Sequence, residues 1–489
     1  MHDPGAIAEL ARAALESGEE EQVLPTVLAA AERSNAAQLW QWAGLLNRSL
    51  DEHATALHCL ATAARLAPGD VRIAHGHAHV ALEAGIDAVG LFERVRALAP
   101  ADPAILIGLS AARMAAGQAA AAISELEAIL EAAPTWIAGH LQLAQLQSLI
   151  GAEAQASASL DRAIIRQPGE PTLWHALCQL HLRREAYDEL LDVVDRARAI
   201  VESNGDFAFF LAVAAGEVSD ARADELLSSR AVAANPALAV WRVRRLIRTG
   251  QVAAALPIVD QELGSERSQA IWPYAALVWR LTDDPRWRWL EGQPGLVSVR
   301  DIASDLPLFD NLVSQLRSLH ERSGQFMDQS VRGGSQTDGP LLSRIEPPIR
   351  GLRQAIVRAV QQYIAELPPF DPDHPLLRQP RHHRIRFSGS WSVRLRSGGS
   401  HANHVHPNGA ISSALYLNLP ERQGHEPQES GSLVLGEPPL DLRQGLPPHT
   451  IIEPKPGQLV LFPSWMWHGT RPFAQGERLT VAFDVAPAC

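Results

Sequence analysis

The chain has 489 residues, 46% of them hydrophobic and 20% charged, with a formal net charge of −12. That length exceeds what one hydrophobic core serves and predicts two or three domains, and the composition excludes a disordered chain. The negative balance, without any Lys/Arg-rich block, argues against a nucleic-acid partner.

Cysteine is limited to Cys59, Cys178 and Cys489. Three scattered cysteines give neither a disulfide framework nor a CxxC metal knuckle, which points to a reducing compartment. The acidic, helical start lacks the basic and apolar blocks of a secretory leader. No apolar run approaches the ~18 residues of a membrane span. A cytoplasmic protein without a membrane partner is the expectation.

Residues 1–285 repeat themselves. Similar segment endings recur at Pro68, Pro100, Pro134, Pro168 and Pro236, at intervals of 32, 34, 34 and 68 residues. Small and large apolar residues hold fixed offsets from each proline. Trp40 and Gly44 fall on a first helix, with Ala56, Leu60 and Ala63 on a second; Leu143, Ala144, Ala156, Leu160 and Ala163 repeat the arrangement. This period and pattern resemble tetratricopeptide repeats. One helix pair cannot bury its apolar face alone, so an all-α solenoid of six or seven units between about 35 and 265 is expected. The resemblance implies a groove that holds a protein or peptide. His75 and His79 share a helix face, but with no acid at a suitable spacing they read as groove or packing histidines.

Around Asp284 the period is lost. Residues 286–380 read as a linker and supporting helices, with helical patterns near 308–322 and 347–366. Between them lies a polar, glycine-rich loop, whose stretch Arg332 to Thr337 is either plain and flexible or a cover for a site. From 381 to 489 short alternating strands between Gly/Pro turns predict an all-β jelly roll. Nine of the 19 histidines lie at or beyond His374, which draws attention to chemistry there.

Within "SHANHVHPNGAISSALYLNLP" (400–420), His404 and His406 are two apart and share a face if extended, while His401 points the other way. A same-face pair at a strand end can begin a metal site. His468 follows a strand opened by Gly457 and broken by Pro463, in a Trp-rich setting. Further on, Arg478 and Thr480 lie on one face of the last strand.

The order HxH, a strand ending in YLN, a Gly–Pro–His segment and Arg-x-Thr resembles the iron- and 2-oxoglutarate-dependent oxygenases. It is most similar to the group that carries an HxHP motif and follows tetratricopeptide repeats in bacterial proteins. The resemblance implies a double-stranded β-helix, with Fe(II) and 2-oxoglutarate as cofactors. It makes His404 and His468 iron ligands and puts His406 where most relatives carry Asp or Glu. Arg478 is matched to the residue pairing with the distal carboxylate of 2-oxoglutarate, Thr480 adds a hydroxyl, and Tyr416 helps hold the cosubstrate. The implied activity is hydroxylation of a side chain of a protein or peptide, which the fused repeats would concentrate at the site.

The missing carboxylate leaves three readings. Either a three-histidine face suffices, or Glu437 or Asp484 completes the shell, or the domain is a cupin-like metalloenzyme that needs no 2-oxoglutarate. A repeat scaffold with a non-catalytic, metal-binding β-domain is a further alternative. His406 fills the gap that halogenases leave for halide, so halogenation is not expected. Arg394 reads as a structural strand charge, Trp465 and Trp467 as pocket wall or core, and His401 as exposed or behind the ligands. His382, His383, His425 and His449 are assigned nothing.

Overall fold

The computed structural model describes residues 4–201, 207–229, 235–265, 268–306, 308–321, 330–424 and 426–488. Residues 230–234, before Pro236, lie outside the described residues, as do His425 and Cys489.

Helix pairs follow the proline punctuation. Ala37–Ser49 pairs with His53–Leu66, Val71–Glu83 with Val89–Leu98, and Pro103–Ala115 with Ala119–Ala132. Ile137–Leu149 then pairs with Ala158–Arg166, and Pro171–Arg183 with Tyr187–Ile200. Pro68, Pro100 and Pro168 each fall just beyond a second helix, where a residue without an amide hydrogen cannot extend it. Two residues later an acid caps the next first helix. Asp70 accepts from the amides of Arg72 and Ile73, Asp102 from those of Ala104 and Ile105, and Glu170 from that of Thr172. Glycines in the left-handed region, Gly85, Gly117 and Gly151, end the first helices. Packing between pairs is equally tight: a Cβ added at Gly108 would lie 2.2 Å from the Phe92 ring.

The last pairs depart from the strict period. Ala239–Arg248 with Val252–Leu263, and Trp272–Leu281 with the short Arg286–Leu290, share one apolar core with the C-terminal sheet. One apolar core runs unbroken from Val243 and Ile247 through Leu277, Leu290, Leu352 and Ile356 to Leu415, Leu461 and Phe483.

Among the described residues the sheet has nine strands: β1 Ser298–Asp301, β2 Val331–Gln336, β3 Phe387–His404, β4 Ile411–Asn418, β5 Leu433–Leu435, β6 Thr450–Ile452, β7 Gln458–Pro463, β8 His468–Thr470 and β9 Arg478–Val485. All pairings are antiparallel in the order β1-β7-β4-β9-β3-β8-β5-β6, with β2 on the side of β3. The sheet forms a half-barrel because β3 changes partner along its 18 residues: residues 387–395 pair with β9, and His401 and His404 pair with β8. Helices Phe309–His320 and Pro347–Glu366 support it.

The stretch read as a loop, Arg332 to Thr337, is mostly strand β2. Its glycines serve backbone approach rather than flexibility. A Cβ at Gly334 would lie 2.5 Å from the Arg394 carbonyl oxygen, and Gly333 has φ of 70° where the register shifts.

Both ends of the helical region dock on this half-barrel. At the N-terminal end, Arg386 holds Glu20 at 2.6 Å, and Arg384 holds Glu21 at 2.8 Å and Glu52 at 2.7 Å. At the other end, Arg280 donates to the carbonyls of Gly436 and Pro447. A cavity of about 1360 Å³ is left between repeats and sheet. Among the described residues, no helix is long and apolar enough to cross a membrane.

Candidate active site

Register on the ladder builds the site. His404 and His468 are directly opposed on β3 and β8, with ring centroids 4.2 Å apart. His406 lies just past the end of β3, its amide donating to the Ser464 carbonyl at 2.9 Å, and its ring is 5.0 Å from each of the other two. One nitrogen from each of the three lies within 4.8 Å of the others, and no other such His/Cys/Asp/Glu group occurs among the described residues.

In each ring Nδ1 faces an oxygen acceptor. That of His404 meets Ala402 O at 2.8 Å, that of His468 meets Met466 O at 2.9 Å, and that of His406 meets both oxygens of Asp484 at 2.7 and 2.8 Å. Nδ1 therefore carries the proton, and Nε2 is left with its lone pair. Burial, and then the neighbouring imidazole of His406, lowers the pKa of His404 to about 3; burial and the same neighbours hold His468 well below the usual range. For His404 and His468 this favours the neutral imidazole that a divalent cation requires. The donor set fits iron(II) in chemistry.

Neither acid considered from the sequence belongs to this group. Glu437 accepts from Asn403 at 3.0 Å and from Arg471 at 2.9 and 3.0 Å, which ties it to the cavity rim. Asp484 sits behind His406, not beside it. His401 corrects the alternation argument. A register shift between His401 and His404 adds a residue to β3, so these two pair with Thr470 and His468, two apart on β8. His401 thereby lines the cavity with His404.

Deeper in, Arg478 donates to Thr470 Oγ1 at 2.6 Å, and its guanidinium lies 5.1 Å from the centre of the Tyr416 ring. Tyr416 is directly opposite Thr480 on the β4–β9 ladder. Arg478 and Thr480 both line the cavity, and Tyr416 is fully buried. Arg478 Nε and His401 Nε2 are buried without a hydrogen-bond partner. Among the described residues no carboxylate pairs with Arg478. A buried cation with a spare donor needs an anion, and a dicarboxylate such as 2-oxoglutarate fits that need.

The remaining candidates are structural. Arg394 pairs with Glu477 at 2.7 Å, Trp465 is core, and Trp467 is both core and cavity wall. His75 and His79 pack edge-on to each other and to Phe92. Thr470 and Ser412 were not singled out from the sequence. Thr470 was findable, being two residues beyond His468 on the same strand face. Ser412 was not, because it meets Asp484 only through cross-strand register.

Residues 389–484 match the family model described as "Putative 2OG-Fe(II) oxygenase", and residues 86–146 match one described as "Tetratricopeptide repeat". Along the chain, a tetratricopeptide-repeat match therefore precedes a match to the 2OG-Fe(II) oxygenase model. Solved structures with similarity include MamA from Desulfovibrio magneticus RS-1, at 19% identity and TM-score 0.30 over 34% of this chain and 96% of that one. They include a Pseudomonas putida prolyl-4-hydroxylase, at 18% identity and TM-score 0.27 over 40% of this chain and 94% of that one. A comparison with curated proteins gives no significant match. The matched segment 389–484 contains all three clustered histidines and Arg478.

Proposed function

We propose that this chain is an Fe(II)- and 2-oxoglutarate-dependent oxygenase that hydroxylates a side chain of a peptide or protein segment lying between the repeats and the sheet. One observation carries the proposal: the three converging imidazoles line a cavity whose other wall is made by repeat helices, including Arg183, Tyr187, Trp241 and Tyr274.

In this reading His404, His406 and His468 hold iron(II), and Arg478, with Thr480 and Tyr416, holds the distal carboxylate of 2-oxoglutarate. The bound metal supplies oxygen activation coupled to oxidative decarboxylation of the cosubstrate. The chain's own residues bind, orient and shield. Ala402, Met466 and Asp484 fix the three rings in one tautomer. Thr470 aims the Arg478 guanidinium, and Phe462 and Trp391 flank the histidines at 4.8 and 5.4 Å, limiting water.

The size of the cavity supports a peptide. It exceeds the ~300–1,000 Å³ of ordinary small-ligand pockets, and the nearly fully exposed Leu440 stands on its rim beside Asp441. A segment bound there would present one side chain to the histidines while its neighbours contact Tyr187 and Trp241.

The test supplies iron(II), 2-oxoglutarate, oxygen and a peptide library, and follows succinate together with peptide mass. Peptide-dependent succinate formation with gain of one oxygen atom supports the proposal. Tyr187→Ala and Trp241→Ala are then expected to raise KM for the peptide without changing 2-oxoglutarate affinity. Full coupling to a small metabolite, with every peptide ignored, would overturn peptide recruitment.

A further inference from the structure

The cluster of His404, His406 and His468 contains no acid. Three neutral imidazoles would leave a divalent metal its whole charge, whereas two histidines and a carboxylate cancel one unit of it. Asp484 lies one ring away from the place such an acid would take.

Its surroundings are built. Asp484 is buried, 7% exposed, and among the described residues it faces no Lys or Arg; its ionic contact is His406. Ser412 donates to its Oδ1 at 2.6 Å and also touches Ser464 at 3.1 Å. The loop after His406 closes over the group: the Gly409 amide donates to the His406 carbonyl at 3.1 Å, and a Cβ at Gly409 would meet Ser464 Oγ at 2.6 Å and Asp484 Cβ at 3.2 Å. Ser412, the Gly409 turn and His406 thus hold the carboxylate against Nδ1 of a ring that packs on the other side against His404 and His468.

We propose that Asp484 is the acid of this metal site, a positioning residue that acts through His406 instead of touching the metal. Its carboxylate accepts from Nδ1–H, fixes the ring with Nε2 toward the other histidines and raises the donor strength of that nitrogen. His406 and Asp484 together thus replace the carboxylate arm and return one negative charge to the vicinity of the metal. The inference rests on the three-histidine metal reading.

The test compares wild type, Asp484→Asn, Asp484→Ala and, as a control, Glu437→Gln. Iron(II) affinity is measured by anaerobic chelator competition, the ferric/ferrous potential by titration, and the ligand field by absorption of the cobalt(II)-loaded protein. Asn keeps an acceptor for Nδ1–H and removes the charge. It is expected to weaken iron(II) binding about 10–100-fold and raise the potential, with the melting temperature of the metal-free protein not lowered. Ala is expected to weaken binding further and alter the cobalt spectrum, while Glu437→Gln binds iron(II) as wild type does. Unchanged affinity and potential in Asp484→Asn would overturn the inference, as would a loss of affinity that only tracks a lower melting temperature. Failure of the wild type to bind any divalent metal would instead overturn the metal reading itself.

Discussion

The indole Nε1 of Trp467 donates to the carbonyl of Pro273 at 3.0 Å, across the seam between the last repeat-like helices and the strand that begins at His468. The same ring stands edge-on to Tyr274, with centroids 5.6 Å apart. The helical region and the candidate metal site are therefore joined within one residue of each other. Trp467→Phe keeps most of the apolar contact and removes this one hydrogen bond. It is expected to cost about 0.5–1.5 kcal/mol in urea unfolding. An unchanged midpoint would show that this joint carries no load.

A second joint is ionic and buried. Arg244 donates to both oxygens of Glu217 at 3.0 and 2.9 Å and to Tyr274 at 3.2 Å, and it also pairs with Asp441 of the C-terminal region. Glu217 also accepts from Arg248 at 2.8 Å, so Glu217→Gln takes the carboxylate from two buried arginines, leaves Arg244 only the more exposed Asp441, and is expected to destabilise by about 3–5 kcal/mol. Asp441 is much more exposed, and Asp441→Asn is expected to cost less than about 1 kcal/mol. Denaturant unfolding of the two variants checks the order; an equal cost would contradict the burial argument.

The N-terminal dock responds to pH. Burial raises the pKa of Glu20, but hydrogen bonds from Arg386 and Ser49 outweigh it and bring the carboxylate to about 2. A lowered folded-state pKa gives stability that is fully present above the unfolded value of about 4.3 and is lost as pH falls toward 2. Wild type is expected to lose stability more steeply than Glu20→Gln between pH 5 and pH 2 (on the order of one extra proton taken up on unfolding). Parallel pH profiles would show that Glu20 is not coupled to folding.

Thr470 isolates the cosubstrate end of the site. Thr470→Val removes the hydroxyl that receives Arg478 at 2.6 Å. 2-Oxoglutarate binding is expected to weaken about 3–10-fold, the worth of one hydrogen bond, with iron(II) affinity unchanged. Isothermal titration of each component separates the two, and equal losses of both would point to general damage.

Much of the helical region was legible because its signals are local. Proline stops, Asp70 and Asp102 caps and the 34-residue spacing all act within a few residues, and the first helices begin at 37, 71, 103, 137 and 171. Strands β1 and β2 were missed for a physical reason. β2 is written in glycine and polar residues because its backbone is pressed against Arg394 and Gly399, so it carries no apolar alternation. His401 was misdirected because a bulge defeats a count of two. Glu437 and Asp484 were both within reach as candidates, but only cross-strand pairing decides that one faces Arg471 and the other His406. The docking of both ends of the helical region rests on contacts hundreds of residues apart, such as Arg386 with Glu20, which no local pattern announces.

The most direct measurement is an anaerobic titration of the iron(II)-loaded protein with 2-oxoglutarate, following the weak visible charge-transfer band of the chelate. The band is expected in the wild type, lost in His468→Ala, and shifted to much higher 2-oxoglutarate concentration in Arg478→Ala. Iron(II) bound with no band at any 2-oxoglutarate concentration would contradict the assignment and favour a metal domain that does not use this cosubstrate.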